Sequence, residues 1–179
     1  MVNTLKTSFG FNLAVALAGD TPVMGNAQRW TGQIEFAKSL SHGILADQAN
    51  LCYFAERTIA SASNDDLDLS GVLTDAFGDT LANAKLKLIL ILNRARDASE
   101  AANTTDLTIG GGSNPFVGIL GGTAPTIGPI KPGGFVMIGA SHLDGIGAVT
   151  AGTGDILRIA NSSGASAKYV VGLIGAAAS

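Results

Sequence analysis

The densest set of potential metal ligands in the sequence is a group of aspartates in residues 65–79: Asp65, Asp66, Asp68, Asp75 and Asp79. Carboxylate oxygens suit Ca²⁺, which takes about six to eight oxygen ligands. The spacing does not match the calcium-binding loop, which needs alternating acidic positions, a glycine and a closing glutamate. Because Asp66 and Asp68 alternate with leucines, we interpret them as the solvent face of an edge strand, where negative charge discourages edge-to-edge pairing. The sequence therefore predicts no metal site.

The two histidines, His42 and His142, are the residues best suited to acid–base catalysis or zinc binding. No second His or Cys falls at a zinc-ligand spacing from either of them. Ser41 and Ser141 precede them, but neighbouring side chains on a strand point to opposite faces, so neither pair forms a nucleophile–base hydrogen bond. A triad assembled from distant residues stays open, although no spacing indicates one. We therefore predict no catalytic residue, no cofactor and no enzymatic activity.

Glycine-rich segments at residues 110–112 and 145–147 invite comparison with phosphate-binding loops. Neither segment matches the GxGxxG or GxxxxGK[ST] pattern, and neither stands between a predicted strand and a predicted helix. We interpret both as turns in which glycine supplies a positive φ. Residues 131–134 (KPGG) predict another turn, with Pro132 at its second position and glycine after it.

A single cysteine and a few large polar aromatics complete the set of chemically distinctive residues. Cys52 has no partner for an internal disulfide, and we interpret it as a small core residue. Trp30, Tyr53 and Tyr169 are too few and too widely spaced to predict a sugar-binding platform. These residues therefore favour no particular ligand class.

The composition narrows the class of protein. Only 14% of the 179 residues are charged and 24 are glycine, which favours strands and tight turns over surface helices. The net charge is −3 and the 11 Lys and Arg residues form no basic stripe, so no nucleic-acid partner is predicted. The longest apolar run, residues 88–92, is much shorter than a membrane span, so no membrane partner is predicted. The low charge instead indicates apolar surface that is buried against other subunits.

Alternation of apolar and polar residues predicts a chain built from strands. In residues 4–18 the large apolar side chains share one parity, which predicts a strand with one buried face. Further strands are predicted over 32–40, 50–62, 64–71, 84–94, 105–110, 115–120, 134–140, 155–161 and 167–175. Residues 161–164 (NSSG) are expected to join the last two strands as a hairpin.

Residues 84–94 are the strongest strand candidate, and their second half is apolar on both faces, as is typical of a central strand. We expect Lys85 and Lys87 to point to solvent or to a partner and four leucines to line the core: Leu86, Leu88, Leu90 and Leu92. Residues 73–79 predict a turn that places Phe77 inward. The pattern predicts an all-β protein, an antiparallel β-sandwich or jelly roll with an N-terminal extended arm. Residues 1–48 are expected to form the arm or edge strands, and residues 49–179 the sandwich body.

Three segments of the chain resemble small structural proteins of tailed bacteriophages. They are residues 67–78 (LDLSGVLTDAFG), 131–134 (KPGG) and 149–175 (VTAGTGDILRIANSSGASAKYVVGLIG). The resemblance extends over about residues 55–176 and is most specific in the stretch TAGTGDILRIANSSG. It implies a virion component with a β-sandwich fold, of the head decoration or cement type.

The resemblance also implies the partners. It implies a protein that binds and stabilises the shell of major capsid protein on the capsid exterior, that associates with itself as a dimer or trimer, and that is assembled in the host cytoplasm. Two alternatives stay open: a tail or fibre component that binds a host receptor, and a hydrolase built on a β-sandwich. Aromatic or basic patches near the loops would favour the receptor binder, and a Ser, an Asp and a His meeting in a pocket would favour the hydrolase.

Overall fold

The computed structural model describes residues 4–18, 29–118 and 121–178, and within these ranges the chain forms strands and no helix. The all-β prediction is therefore confirmed. The strands are β1 (Thr7–Ala18), β2 (Arg29–His42), β3 (Gln48–Ala49), β4 (Leu51–Ile59), β5 (Asn64–Asp68), β6 (Lys85–Leu92), β7 (Leu107–Gly110), β8 (Thr126–Ile130), β9 (Phe135–Gly139), β10 (Gly147–Ala148), β11 (Ile156–Asn161) and β12 (Ala167–Ala176).

The strands form three sheets. The first has the order β1-β2-β3, with β1 and β2 antiparallel and a short parallel pair between β2 and β3. The second, which we call the five-stranded sheet, has the order β10-β6-β12-β4 with β9 also paired to β6. The third, the four-stranded sheet, has the order β5-β11-β7-β8. All pairings in the second and third sheets are antiparallel.

The main hydrophobic core combines side chains from the five-stranded and four-stranded sheets. Alternate residues of β6 and β12, among them Ile89 and Leu173, pack in one buried cluster with Ile109 and Ile159 of the four-stranded sheet. This is the period-two burial that strand alternation predicts. A second, smaller cluster lies on the other face of the five-stranded sheet and includes Leu88.

The strand predicted over 115–120 is not formed by residues 115–118. Residues 119 and 120 lie outside the described residues. Pro115 makes only an isolated bridge to Ile156, and Phe116 is a buried core residue. The strand that was missed is β8, whose sequence contains Gly128 and Pro129. These residues normally indicate a break, but β8 pairs only with β7, and proline is tolerated on an edge strand.

The predicted hairpin at 161–164 is also wrong, because β11 and β12 belong to different sheets. The segment crosses between the sheets. Asn161 stabilises this connection between β11 and β12. Its Nδ2 donates to the carbonyl oxygens of Ile59, Ala60 and Ala165 at 3.3, 3.0 and 2.8 Å. A short connection between two strands therefore did not reveal whether they share a sheet.

Strand β6 is central, as predicted, with β12 on one edge and β9 and β10 on the other. The assignment of its faces is partly wrong. Leu86 lies in the main core, as predicted, together with Ile89 and Ile91. Leu88 is buried in the second cluster, and Leu90 and Leu92 are only half-buried on the face away from the main core. Both faces of the strand are apolar, so alternation alone does not show which face meets the core.

Lys87 is fully buried, although we expected it to reach solvent or a partner. The register with β12 shifts between Ile174 and Gly175, so Lys87 is an extra residue in a β-bulge. Its Nζ donates to the carbonyl oxygens of Leu143 at 2.9 Å and of His142. Burial lowers the pKa of Lys87 from its usual value. The bulge turns the ammonium group toward backbone acceptors, which satisfy it inside the protein.

Phe77 is 80% exposed, so the expectation that it lies inward is wrong. Asp75 Oδ1 accepts hydrogen bonds from the backbone N–H groups of Phe77 and Asp79, at 2.8 and 2.9 Å, and closes a tight turn. Leu73 and Leu81, which flank this turn, supply the buried side chains instead.

Substitutions at two neighbouring residues of β6 test which face of this strand packs in the main core. We expect Ile89→Ala to lower the free energy of unfolding by about 3–5 kcal/mol, because it leaves a cavity in the main core. Leu90→Ala should cost about 1 kcal/mol, since its side chain is half-buried on the other face. Urea denaturation of the two variants measures both values. Equal losses would show that the two faces of β6 are equally packed.

Candidate interaction surface

The aspartates of residues 65–79 are dispersed among ion pairs and turns. Asp65 points inward and accepts from Arg57 Nε and Nη2 at 2.6 and 2.8 Å and from Tyr169 Oη at 2.9 Å. Asp66 pairs with Arg158 at 2.6 and 2.7 Å, and this hydrogen bonding lowers the pKa of Asp66. Among the described residues, no group of three or more His, Cys, Asp or Glu side chains is arranged to hold a metal ion.

The two histidines make local hydrogen bonds to the backbone. His42 Nδ1 accepts from the N–H of Leu5 at 3.1 Å, and His142 Nδ1 accepts from the N–H of Asp144 at 3.2 Å. In the first case the imidazole fastens the segment before β1 to the end of β2.

The glycine-rich segments form the expected turns. Gly110 has a φ of 95°, and a Cβ atom there would lie 2.2 Å from the carbonyl oxygen of Pro125, so the tight approach of backbone to backbone requires glycine. In the turn at residues 131–134, the N–H of Gly134 donates to the carbonyl oxygen of Lys131 at 2.8 Å. Cys52 packs against the second hydrophobic cluster but is only half-buried, so it lies at the edge of the core and not within it, and burial raises the pKa of its thiol.

The most distinctive surface of the protein is a long two-stranded ribbon formed by β1 and β2. Its strands pair in register from Thr7 opposite Leu40 to Ala18 opposite Arg29. Beyond Gly10 the ribbon residues of β1 are all exposed, and so are nearly all those of β2 before Lys38. At about 3.4 Å per residue, the exposed part extends for roughly 30 Å.

One face of the ribbon is apolar and exposed. Odd-numbered residues of β1 lie opposite even-numbered residues of β2, so their side chains share a face. The large side chains on this face are 44–64% exposed: Phe11, Leu13, Val15, Leu17, Trp30, Ile34 and Phe36. We call this set the ribbon face. The opposite face carries small and polar side chains, such as Asn12, Ala14 and Gln33.

Aromatic contacts order the ribbon face. Phe11 and Phe36 are cross-strand partners whose rings stack with centroids 6.0 Å apart. Phe36 also contacts Phe9, with a centroid separation of 6.4 Å. The Trp30 ring lies over Gly32, where a Cβ atom would come within 2.5 Å of it. The apolar side chains therefore pack on each other, yet remain largely open to solvent.

The base of the ribbon packs on the outer face of the five-stranded sheet, the face away from the main core. Leu40 of β2 and Phe9 of β1 join the cluster that contains Leu88 and Ile174 of the sheet. The Phe9 ring fits over Gly139, where a Cβ atom would lie 2.9 Å from it. Because Phe9 has the same parity as Phe11 and Leu13, the apolar face that meets the sheet at its base continues outward as the ribbon face.

The outer face of the five-stranded sheet continues as an apolar surface beyond the ribbon's base. Registers between β4, β12, β6 and β9 place its side chains in rows across the strands. The base covers the first row; the next rows contain Phe54, Gly172, Leu90, Met137, Val170, Leu92 and Phe135. Of these, Phe54 and Phe135 are 58% and 67% exposed. We call these rows the sheet face.

Charged residues border the sheet face at one end. Lys168 lies 3.7 Å from Glu56 and hydrogen bonds to Glu100, and the latter contact raises the pKa of Lys168. Glu56 also accepts from the backbone N–H of Arg96 at 2.6 Å. The charges at this border are therefore paired with one another. Glu56 stands at the end of the row that contains Val170, and the row that contains Phe54 carries no charge.

A groove of about 320 Å³ lies at another border of the outer face. Its lining is mostly apolar and includes Leu5, Cys52, Phe54 and Phe77, with the carboxylate of Asp75 at one side. The exposed ring of Phe77 reaches the groove from the turn before Thr80.

Comparisons with family models, with curated proteins and with solved structures found no match to this chain. Among the described residues, no helix is long and apolar enough to cross a membrane.

The sequence pattern identified the apolar parity of residues 4–18 but not its exposure. Trp30, Tyr53 and Tyr169 were too widely spaced in the sequence to predict a sugar-binding platform, and the structure separates them. Trp30 lies on the ribbon face, whereas Tyr53 and Tyr169 are buried. The signal that was missed is the pairing of two strands that both carry one apolar parity, which combines their phenylalanines into one surface.

Proposed function

We propose that this chain is a structural protein of a phage virion, a capsid decoration or cement protein that binds and stabilises the shell of major capsid protein from the capsid exterior. The observation that carries the proposal is the exposed ribbon face. A two-stranded ribbon in water is marginally stable by itself, so its apolar face needs a partner. The resemblance of residues 55–176 to small structural proteins of tailed bacteriophages supports a virion as the assembly that provides this partner.

The proposal includes a finer description of the fold. The five-stranded and four-stranded sheets share the main core, which supports a sandwich of jelly-roll type for residues 49–179. The ribbon, within residues 1–48, then serves as the arm. This role needs no catalytic residue, cofactor or metal, and it is consistent with assembly in the host cytoplasm and a final place on the virion.

The area of the ribbon face fits a binding role. Its large side chains together expose on the order of 700 Å², against about 800 Å² for each partner in a standard protein interface. A soluble monomer rarely leaves a patch of this size uncovered, and such patches mark interaction sites. The body provides a rigid base, because the ribbon emerges from a packed cluster at Leu40 and Phe9.

Removal of the outer ribbon tests the proposal. We expect a variant in which residues 12–35 are replaced by an Asn-Gly turn to lose binding to purified heads that lack this protein, because it lacks most of the ribbon face. Phe11 and Phe36 are cross-strand partners, so a two-residue turn can join them. Co-sedimentation with heads measures binding, and urea denaturation checks that the body is still folded.

A control variant changes only the polar face. Asn12→Ser with Glu35→Gln alters one cross-strand pair on that face and should bind heads like the original protein. Binding of the shortened variant at full strength would contradict the proposal.

A second candidate function is a tail or fibre component that binds a host receptor. The groove beside the exposed Phe77 ring favours it, since aromatic side chains on loops are common in binding sites. The two functions differ in what they attach to. Phe77→Ala would weaken adsorption to host cells if the groove is a receptor site, and would leave binding to heads unchanged.

A further inference from the structure

The chain carries two apolar surfaces, the ribbon face and the sheet face. At the ribbon's base, the apolar side of the ribbon already packs on the outer face of the five-stranded sheet. At the ribbon's base, Phe9 and Leu40 already cover the first row of the outer sheet face, with the Phe9 ring seated over Gly139. The ribbon then leaves the sheet, and its remaining aromatic and aliphatic side chains contact solvent. On the sheet face, Phe54 and Phe135 are exposed. Leu90, Leu92 and Met137 are half-buried, and Gly172 and Val170 are buried.

We propose that the ribbon face of one copy packs on the sheet face of a second copy of this chain. Within one chain, the base of the ribbon packs on the first row of the outer sheet face. Between two copies, the rest of the ribbon face would pack in the same way on the rows of the sheet face. This inference goes beyond the proposed function, because it concerns the purified protein, where no shell is present. When the protein binds a head, the shell takes the place of the second copy on the ribbon face.

Charge supports a second copy as the partner. None of the residues on the ribbon face is charged. On the sheet face, the row of Phe54, Gly172, Leu90 and Met137 is uncharged as well, and the next row carries one charge, Glu56, at its end beside Val170. Joining them buries no unpaired ion, which would be costly. The charges next to the two faces are paired: Glu56 with Lys168, and Lys38, opposite Phe9 at the ribbon's base, with Asp47. A charged partner surface would gain nothing from either face.

The area also supports a second copy. One ribbon would cover on the order of 700 Å² of its own surface, close to the roughly 800 Å² that each partner contributes to a standard interface. On the partner copy, the apolar contact would come mainly from Phe54 and Phe135. If two copies exchange ribbons, the buried area doubles and the assembly closes as a two-fold dimer. If each copy passes its ribbon to the next, the same contact closes a ring such as a trimer.

Cross-linking between two differently substituted copies tests the contact directly. In a Cys52→Ala background, Leu13→Cys places a thiol on the ribbon face and Phe135→Cys places one on the sheet face. The two variants, one of them carrying an affinity tag, are mixed and treated with a short bismaleimide. We expect a mixed cross-linked dimer, identified by its mass, that requires both thiols.

Matched controls separate this contact from chance collision. Asn12→Cys lies next to Leu13 but on the opposite face of the ribbon, and Val72→Cys is an exposed loop position outside the sheet face. Each should reduce the mixed product at least about tenfold. The proposal is overturned if the controls react as well as the original pair, or if Leu13→Cys links only to itself, which would indicate ribbon-to-ribbon contact.

A charge-insertion pair provides an independent measurement. Leu13→Glu with Ile34→Glu places two carboxylates at cross-strand positions on the ribbon face, whereas Ala14→Glu with Gln33→Glu places two on the polar face. Both pairs impose the same like-charge repulsion on the ribbon. We expect the first pair to weaken self-association at least about a hundredfold, because it would bury carboxylates in an apolar contact, and the second to leave it nearly unchanged.

Analytical ultracentrifugation measures both variants and the original protein. A monomeric original protein, or equal weakening by the two pairs, overturns the inference. Binding to heads is scored separately. If the protein binds heads but is a monomer by itself, the contact between copies is refuted and the proposed function stands. If it self-associates as predicted but does not bind heads, the contact between copies stands and the proposed function is refuted.

Discussion

Asp65→Ala is expected to lower the free energy of unfolding by about 2–4 kcal/mol. Asp65 of β5 accepts two hydrogen bonds from Arg57 of β4 and one from Tyr169 of β12, so a single carboxylate joins the four-stranded sheet to the five-stranded sheet. Its side chain is 15% exposed. Removal leaves a half-buried guanidinium and a buried phenol without this acceptor. Urea denaturation at neutral pH measures the loss.

The double variant Arg57→Met with Asp65→Leu distinguishes the reason for that loss. Replacing both partners removes the unpaired charge and supplies apolar side chains of similar volume, so the double variant should be more stable than Asp65→Ala alone. Tyr53 and Tyr169 remain in both variants. A double variant less stable than the single one would show that the ion pair itself contributes more than the cost of an unpaired arginine.

Asn93→Asp is expected to destabilise the protein by about 3–5 kcal/mol, a large effect for the exchange of one amide for a carboxylate. Asn93 is fully buried at the end of β6. Its Nδ2 donates to the carbonyl oxygens of Thr105 and Ile130 at 2.9 and 2.8 Å, and its Oδ1 accepts from Asn103. A carboxylate cannot donate to two carbonyl oxygens and is repelled by them. Thermal and urea unfolding measure the change.

The same exchange at Asn50 is the control. Asn50 Oδ1 accepts from the backbone N–H of Ala177 at 3.0 Å, a role that a carboxylate keeps, so Asn50→Asp should be nearly neutral. The cost of Asn93→Asp should also shrink as the pH falls, because the buried carboxyl group has a raised pKa and its protonated form donates one hydrogen bond again. A loss that does not depend on pH would contradict this account of Asn93.

Most of the strands could be predicted from the amino-acid sequence. Period-two alternation is a local property, since each side chain on a strand points to the face opposite its neighbour's. The strands over residues 4–18 and 84–94 were therefore predictable, and so was the turn at residues 131–134, whose Pro132 and Gly133 favour a single geometry. The exceptions were local as well: β8 was missed because Gly128 and Pro129 are read as breakers unless the strand is known to lie at an edge.

Which face of each strand is covered depends on long-range packing and could not be predicted from the sequence. Alternation shows that Leu13 and Leu88 lie on apolar faces, but not that one of these faces meets solvent and the other a packed cluster. Pairing across sheets also depends on residues far apart in sequence, so neither the crossing at Asn161 nor the register shift that buries Lys87 has a local signal. A side chain is buried by the element that packs against its face of the strand. That element is determined by long-range contacts and not by the neighbouring sequence.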